Sequence, residues 1–302
     1  MIQALKNIVT VARNKLVDSV RSRRALIVFL LYVAGAILLV YWFINILSSL
    51  EGELANVLKV QTSPSASGTV ADTLWKSNVI REMVTHVVRD REVAKEVITM
   101  PLMAVYYAGI AFAFTPLLVI LITSGRIAEE VSSGSARFVL FRVSRAAWCM
   151  GKFFGQALMV MFALMLSAIA AWCVAGIKMP VMTDLSAMRW MILYAFRVWI
   201  YSFAFIGLAT GVSLVAKSAN QAVAFAFGLW IFLFVIYAAA GFHLAREPSV
   251  MWETILTLTP HGHRLDMWRN DPAHLIPAML FFPAQGLTFV FAGYAFFSRK
   301  DL

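Results

Sequence analysis

Charged residues are scarce in this sequence of 302 residues. Lys, Arg, Asp and Glu make up 14% of the chain, whereas hydrophobic residues make up 61%. A water-soluble domain has roughly 25% charged and 45–50% apolar residues. A globule of this length leaves much of its surface in water, so it cannot bury that much apolar surface. The composition therefore excludes most soluble enzymes and nucleic-acid-binding proteins and predicts an integral membrane protein.

Cysteine is nearly absent as well. The chain has 2 cysteines, Cys149 and Cys173, which excludes a disulfide framework and a thiolate metal site. If both lie on one helix, a rise of ~1.5 Å per residue holds them ~36 Å apart. That separation is far too large for a disulfide bond.

Catalytic motifs are also missing. The sequence has no G-x-x-x-x-G-K-[ST] phosphate loop, no H-E-x-x-H, no G-x-S-x-G and no dinucleotide-binding fingerprint. We therefore predict that the chain is not an enzyme, that it has no catalytic residue and that it binds no cofactor itself. Energy for transport against a gradient would have to come from another chain.

Long apolar stretches, by contrast, are abundant. About 20 apolar residues are needed to cross a bilayer core of ~30 Å as a helix, and none of the stretches alternates as a barrel strand does. They cover residues 25–47, 101–124, 151–177, 190–216, 222–242 and 275–297. We predict an all-α integral membrane protein with six transmembrane helices. None of them contains Asp or Glu, which disfavours a channel or a secondary transporter that needs buried acids.

The net charge of +10 is better explained by the orientation of the chain in the membrane than by a nucleic-acid-binding surface. Six spans place both termini on one side. Arg21, Arg23 and Arg24 precede the first span, whereas Glu51 and Glu53 follow it. The positive-inside rule then predicts that both termini are cytoplasmic.

Residues 1–24 repeat apolar side chains at helical spacing and predict a cytoplasmic amphipathic helix. Its cations would lie near the lipid headgroups of the inner leaflet; packing against another protein is the alternative. The apolar positions are Ile2, Leu5, Ile8, Val9, Ala12, Leu16 and Val20.

The 48–100 segment is the largest piece outside the six spans. It predicts an extracytoplasmic helical hairpin, in which the first span continues outward and a turn-rich linker covers residues 61–72. The second helix is marked by Ile80, Val84, Val87, Ala94 and Ile98. Such a hairpin suits docking of an extracytoplasmic protein or covering of a pore mouth.

The 125–150 segment joins the second and third spans. Glu129 and Glu130 would present negative charge to the cytoplasm, Gly134 would end a helix, and Ser144 would cap the next one. Ile127, Val131 and Phe138 would form an apolar stripe. Such a helix could transmit a push from a cytoplasmic partner to both spans, although an ordinary connecting loop remains the alternative.

The run E-E-x-x-x-G-x-x-R-F-x-L-x-R-V-S-R, followed by Lys152, resembles the permease subunits of type-2 ABC exporters. Ser135 stands where that family usually has Thr, and Arg142 where Pro is common. The ending at residues 296–302, Phe-Phe-Ser-Arg-Lys-Asp-Leu, is similar to the aromatic, basic, Asp-Leu ending of the family. Together with the six spans, the resemblance covers the whole chain.

The resemblance implies a permease subunit in a bacterial inner membrane that forms a homodimer with a second copy. Two cytoplasmic ABC ATPase subunits would bind ATP and Mg and dock on the 125–150 coupling segment, and residues 243–274 would form an outer re-entrant loop. The implied ATPase-coupling residues are Glu129, Glu130, Gly134, Arg137, Arg142, Ser144 and Arg145. Two other functions stay open: a membrane anchor or mechanotransmitter that conducts nothing, and a channel or secondary transporter.

Several further residues are candidates within the predicted 25–302 permease domain. Arg197, inside the fourth span, would snorkel to the interface or pair with an outer-loop carboxylate, with binding of an anionic substrate as the alternative. The candidate substrate path comprises Arg197, Phe227, Trp230 and Phe234.

Two short patterns have simpler interpretations. Gly207 and Gly211 form a GxxxG pattern for helix packing, within one protomer or at the dimer seam. His261 and His263 are a weak candidate for a metal site, because no carboxylate or thiolate accompanies them at matching spacing.

Overall fold

The computed structural model describes residues 2–21, 23–58, 68–88 and 90–299. Every regular element among these residues is helical. In chain order the α-helices are α1 (Ile2–Arg21), α2 (Arg23–Leu58), α3 (Thr69–Trp75), α4 (Asn78–Val88), α5 (Arg91–Thr99), α6 (Leu102–Ser132), α7 (Ser135–Leu140), α8 (Arg145–Lys178), α9 (Leu185–Val215), α10 (Ala219–Leu244), α11 (Val250–Leu258) and α12 (Pro272–Phe297). Single-turn helices cover Pro180–Met182 and Asp266–Trp268. Six helices, α2, α6, α8, α9, α10 and α12, are long and apolar enough to cross a membrane. The all-α, six-span prediction is confirmed.

The ends of the spans form two groups. Val11 of α1, Ala136 of α7 and Phe297 of α12 belong to one buried cluster, which marks what we call the N-terminal side. The helices α3 to α5 lie at the other end of the bundle, which we call the distal side, together with the single-turn helix Asp266–Trp268.

Helix α9 is the centre of the bundle. In its most apolar stretch 78% of the residues are buried, compared with 11% in α10 and 22% in each of α2 and α12. It packs against α6, α8, α10 and α12. The low burial of α10 leaves most of its apolar surface for lipid or for another chain.

Glycines bring α9 and α12 into close contact. A Cβ at Gly207 would overlap the backbone of Gly286, and a Cβ at Gly211 would overlap the carbonyl of Phe289. A larger residue at either place would force the two backbones apart. The GxxxG pattern therefore joins two helices of one chain.

Helix α1 lies along the N-terminal end of α8. A Cβ at Gly151 would overlap Val11 and approach the carbonyl of Ile8. Val11 and Ala12 are buried, whereas Val9 is 60% exposed. The apolar face is thus rotated from the predicted one, which included Val9 and omitted Val11, because α8 contacts only a narrow stripe of the helix.

On the distal side, α2 continues outward to Leu58 as predicted. The carboxylate of Glu51 is buried and accepts hydrogen bonds from the backbone N–H groups of Gly68 (3.0 Å) and Ala71 (3.1 Å). It caps the start of α3 and ties α3 to the first span. Residues 61–67 of the predicted linker lie outside the described residues.

The predicted second helix of the hairpin is instead two helices, α4 and α5. The side chain of Asp90 separates them, because it accepts hydrogen bonds from the N–H groups of Glu92 (3.0 Å) and Val93 (3.2 Å) and starts a new helix. A hydrogen bond of 2.6 Å from Arg269 holds Asp90 to the segment before α12. The apolar spacing predicted the helical content but not this break.

Helix α11 lies within residues 243–274, for which the resemblance implied a re-entrant loop. The side-chain amide of Gln285 in α12 donates to the carbonyl of Leu258 at 2.8 Å. Gln285 lies about 12 residues before the end of α12, hence about 18 Å from the N-terminal side. Leu258 therefore lies beside the middle of α12.

Both cysteines lie on α8, and neither forms a disulfide. Cys149 is buried and Cys173 is exposed. The sequence argument for their separation therefore holds.

Candidate functional site

The segment between α6 and α8 folds as its local signals predict. Helix α6 ends at Ser132, and Gly134 has a positive φ of 73° that side chains rarely tolerate. The short helix α7 follows. The hydroxyl of Ser144 then accepts a hydrogen bond from the N–H of Ala147 at 3.3 Å and caps α8.

Apolar contacts fix α7 to the bundle. Ile127 and Ala136 are buried beside Trp148, and Val131 packs against the same cluster. Phe138 does not join this stripe and is 78% exposed. The prediction for Phe138 is wrong because Gly134 turns the chain, so the spacing of α6 does not continue into α7.

Glu130 forms an ion pair within the chain. Its carboxylate lies 2.6 Å from the ammonium of Lys152, whose side chain is 9% exposed. Lys152 also lies 5.7 Å from the ring centre of Trp148. Glu130 therefore neutralises a nearly buried lysine of the same chain, and its contact with a partner stays a prediction.

Glu129 is exposed and lies in a groove of about 180 Å³ between α6 and α10. Val28, Arg126 and Asn220 also line this groove. The two neighbouring glutamates thus have different surroundings, as their positions on successive residues of one helix require.

The exposed surface of this segment is aromatic and basic. Phe138 is 78% exposed and Phe141 is 87% exposed, and Arg137 and Arg142 beside them are also exposed. We call these four residues the docking tip. Large apolar side chains that protrude into a polar medium mark interaction surfaces. The sequence argument missed Phe141, although the alternation Arg-Phe-Val-Leu-Phe-Arg was visible.

Arg145 connects helices of the chain. Its guanidinium donates to the carbonyl of Ser298 at 2.8 Å and lies 5.8 Å from the ring centre of Phe297. Of the implied coupling residues, Gly134 and Ser144 shape the turn, and Glu130 and Arg145 hold the helices together. Arg137 and Arg142 are presented outward.

Arg197 is buried on α9 and contacts the segment that precedes α12. Its guanidinium donates to the carbonyl of Met267 (3.1 Å), to the side-chain oxygen of Asn270 (2.7 Å) and to the hydroxyl of Tyr194 (3.3 Å). Among the described residues it has no carboxylate partner, so the expected ion pair is replaced by neutral acceptors. Arg197 thus ties α9 to the chain before α12.

The aromatic residues proposed for a substrate path do not share one surface. Phe227 and Trp230 pack in a cluster with Ile120 and Leu208, and Phe234 lies 5.4 Å from the ring centre of His261.

An open apolar cavity of about 530 Å³ lies beside them, between α9, α10 and α12. Phe225, Phe232, Phe289 and Phe296 are among its lining residues. The α10 residues that line it include Phe225 and Phe232 but not Phe227, Trp230 or Phe234, because the helix turns by ~100° per residue. The substrate path stays a prediction.

The two histidines of the weak metal candidate have separate surroundings. The ring of His261 is buried among Phe205, Phe234 and Tyr237. His263 forms a 3.0 Å hydrogen bond with Asp266. In the parts of the chain that the structure describes, no group of three or more His, Cys, Asp or Glu residues is placed to hold a metal.

Comparison with known proteins gives one family. A family model described as ABC-2 family transporter protein matches residues 9–302. The match includes all six spans, the segment around α7 and the distal helices. No curated protein matches the chain.

Proposed function

The chain belongs to the ABC-2 family of transporter permeases, and we propose that it is the transmembrane subunit of an exporter. Membership makes it the permease component of an ABC transporter, which works with ABC ATPase subunits rather than hydrolysing ATP itself. The proposed complex has two permease copies and two ATPases, which bind ATP and Mg. No nucleic acid takes part.

The docking tip is the observation that carries this proposal. Phe138 lies on α7 and Phe141 directly follows it, and α7 is fixed to both α6 and α8, so a partner that moves the tip moves both spans. Phenylalanine and arginine are enriched at the buried centres of protein interfaces. The ATPase would receive the two rings in an apolar groove, with acidic side chains near Arg137 and Arg142.

The proposed orientation places the N-terminal side in the cytoplasm of a bacterial inner membrane. The docking tip and α1 then face the ATPases and the inner leaflet, whereas α3 to α5 are extracytoplasmic. The weakly buried helix α10 supplies a surface for the second permease copy and for membrane lipids.

A second candidate function is a mechanotransmitter that moves an extracytoplasmic protein without conducting a substrate. The observation in its favour is the firm attachment of the distal helices. Glu51 joins α3 to α2, and the 2.6 Å contact between Arg269 and Asp90 joins α5 to the re-entrant loop. Motion of the bundle would therefore reach a protein docked on α3 to α5.

Partnership is tested by purification with and without an ATPase. The isolated chain should hydrolyse no ATP, and co-expression with its cognate ABC ATPase should give a stable complex that does. Robust hydrolysis by the contaminant-free permease would contradict the proposal. ATP-dependent accumulation of substrate inside sealed inside-out vesicles then separates an exporter from a mechanotransmitter, which would accumulate none.

Orientation is tested with cysteines introduced one at a time in a Cys173→Ser background, since Cys173 is exposed and the remaining Cys149 is buried. A cysteine replacing Ser186 should react with an impermeant thiol reagent added to intact cells, and one replacing Ser133 should react only after the cells are opened. Reaction of the Ser133→Cys variant in intact cells would reverse the orientation.

A further inference from the structure

A second cavity lies on the distal side, apart from the docking tip. It measures about 370 Å³, is open to one side, and is lined by α4, α5, α6 and residues 264–268. Its walls are mostly apolar and include Val93, Val97, Val105, Phe112 and Trp268. The rings of Phe112 and Trp268 lie 5.5 Å apart. The volume is within the range of ligand pockets, roughly 300–1,000 Å³.

One charged residue, Arg264, lines this cavity. Within the described residues its guanidinium has no hydrogen bond or ion pair, although the residue is half-buried. The neighbouring arginines differ: Arg197 donates to Met267 and Asn270, and Arg269 pairs with Asp90 and Asp266. Of these three arginines, Arg264 is therefore the one whose guanidinium is available to a ligand anion.

We propose that this cavity binds an anionic amphiphile, a negatively charged head group joined to an alkyl chain. The planar guanidinium of Arg264 suits a carboxylate or a phosphate, which it binds through two parallel N–H groups. The valines and the two aromatic rings suit an alkyl chain, which gains free energy by leaving water. A cationic amphiphile is disfavoured because Arg264 repels it.

The acids near the cavity do not neutralise Arg264. Asp90 accepts hydrogen bonds from the start of α5 and from Arg269. Asp266 faces His263 and Arg269. Neither carboxylate lines the cavity, so an anion entering it meets Arg264 without a competing negative wall.

Gly109 of α6 provides a way to fill the cavity without disturbing the fold. It lines the cavity, and a Cβ built there meets no atom within 4 Å. The matched control is Gly228, which lines the apolar cavity between α9, α10 and α12 and is equally open. The control for charge is Arg246, an exposed arginine near the distal end of α10.

The test uses the full chain in phosphatidylcholine nanodiscs, with dodecanoate carrying a terminal diazirine as the probe. Photolabelling of peptides that cover residues 88–112 and 264–268 is measured against probe concentration. Arg264→Gln should raise the half-saturating concentration at least tenfold, and Arg246→Gln should change it less than twofold. Gly109→Leu should remove this labelling, whereas Gly228→Leu should preserve it.

Competition experiments identify the source of the ligand, and a neutral analogue tests whether its charge matters. Competition by phosphatidylglycerol indicates a membrane lipid, and competition by unlabelled dodecanoate alone indicates a free fatty acid; failure of both overturns the inference. So does equal labelling by the neutral dodecanol analogue, or labelling unaffected by Arg264→Gln. If Gly109→Leu does not fold, the Arg264→Gln comparison decides the result. No ATPase is present, so the outcome is independent of the proposed transport function.

Discussion

Removing the carboxylate of Glu130 should destabilise the permease through Lys152. The pair is 2.6 Å apart, and the lysine side chain is 9% exposed. Breaking a fully buried pair costs about 3–5 kcal/mol, because the remaining charge is left without a partner. Glu130 itself is 30% exposed, so water screens part of the interaction and the expected loss is about 2 kcal/mol.

Titration with a denaturing detergent measures this change in the free energy of unfolding. Glu129→Ala is the comparison and should lose less free energy of unfolding than Glu130→Ala, because the side chain of Glu129 is exposed to water. The double variant Glu130→Ala, Lys152→Met should recover most of the loss, since it removes both charges and keeps an apolar stem in place. Equal stability of Glu129→Ala and Glu130→Ala, or no recovery in the double variant, would refute the reasoning.

Two more predictions concern packing and pH. Gly211→Ala would press a methyl group against the carbonyl of Phe289 and should lower stability by about 1–3 kcal/mol. Gly228→Ala, where the added methyl group meets no atom, should not lower stability in the same unfolding titration. Burial alone raises the pKa of Asp90, but the N–H of Val93, the guanidinium of Arg269 and the N–H of Glu92 together hold that pKa below the ordinary 3.8. The stability from Asp90 is therefore present above pH 3.8 and is lost as the pH falls through the lowered pKa; Asp90→Asn should remove this acid-dependent loss.

The sequence predicts features that depend on near neighbours along the chain. The six spans follow from composition alone, and Gly134 and Ser144 act within one helical turn of their own positions. Glu51 shows the limit of such signals. Its carboxylate caps a helix that begins 18 residues later, which no local spacing reveals. The break at Asp90 was missed because the apolar spacing continues across it.

The sequence argument assigned ATPase coupling to the segment between α6 and α8, and that assignment stays a prediction. The resemblance located the segment, yet it favoured the two glutamates as contacts. The carboxylate of Glu130 instead forms an ion pair with Lys152 of the next span, and these residues are far apart in the sequence. Phe138 and Phe141 became candidates only through their exposure, which depends on how Gly134 turns α7 away from α6.

The central claim is that the docking tip binds the ATPase. Burying one phenylalanine contributes about 1.5–3 kcal/mol, so Phe138→Ala and Phe141→Ala should each weaken the complex by about 10- to 150-fold. Both side chains are exposed, so neither change should alter the stability of the isolated permease. Phe162→Ala on α8, whose side chain is 55% exposed, is the matched control and should bind normally. The measurement is the dissociation constant of the cognate ATPase for the permease in nanodiscs. Unchanged affinity in the variant that carries both alanines would contradict the account.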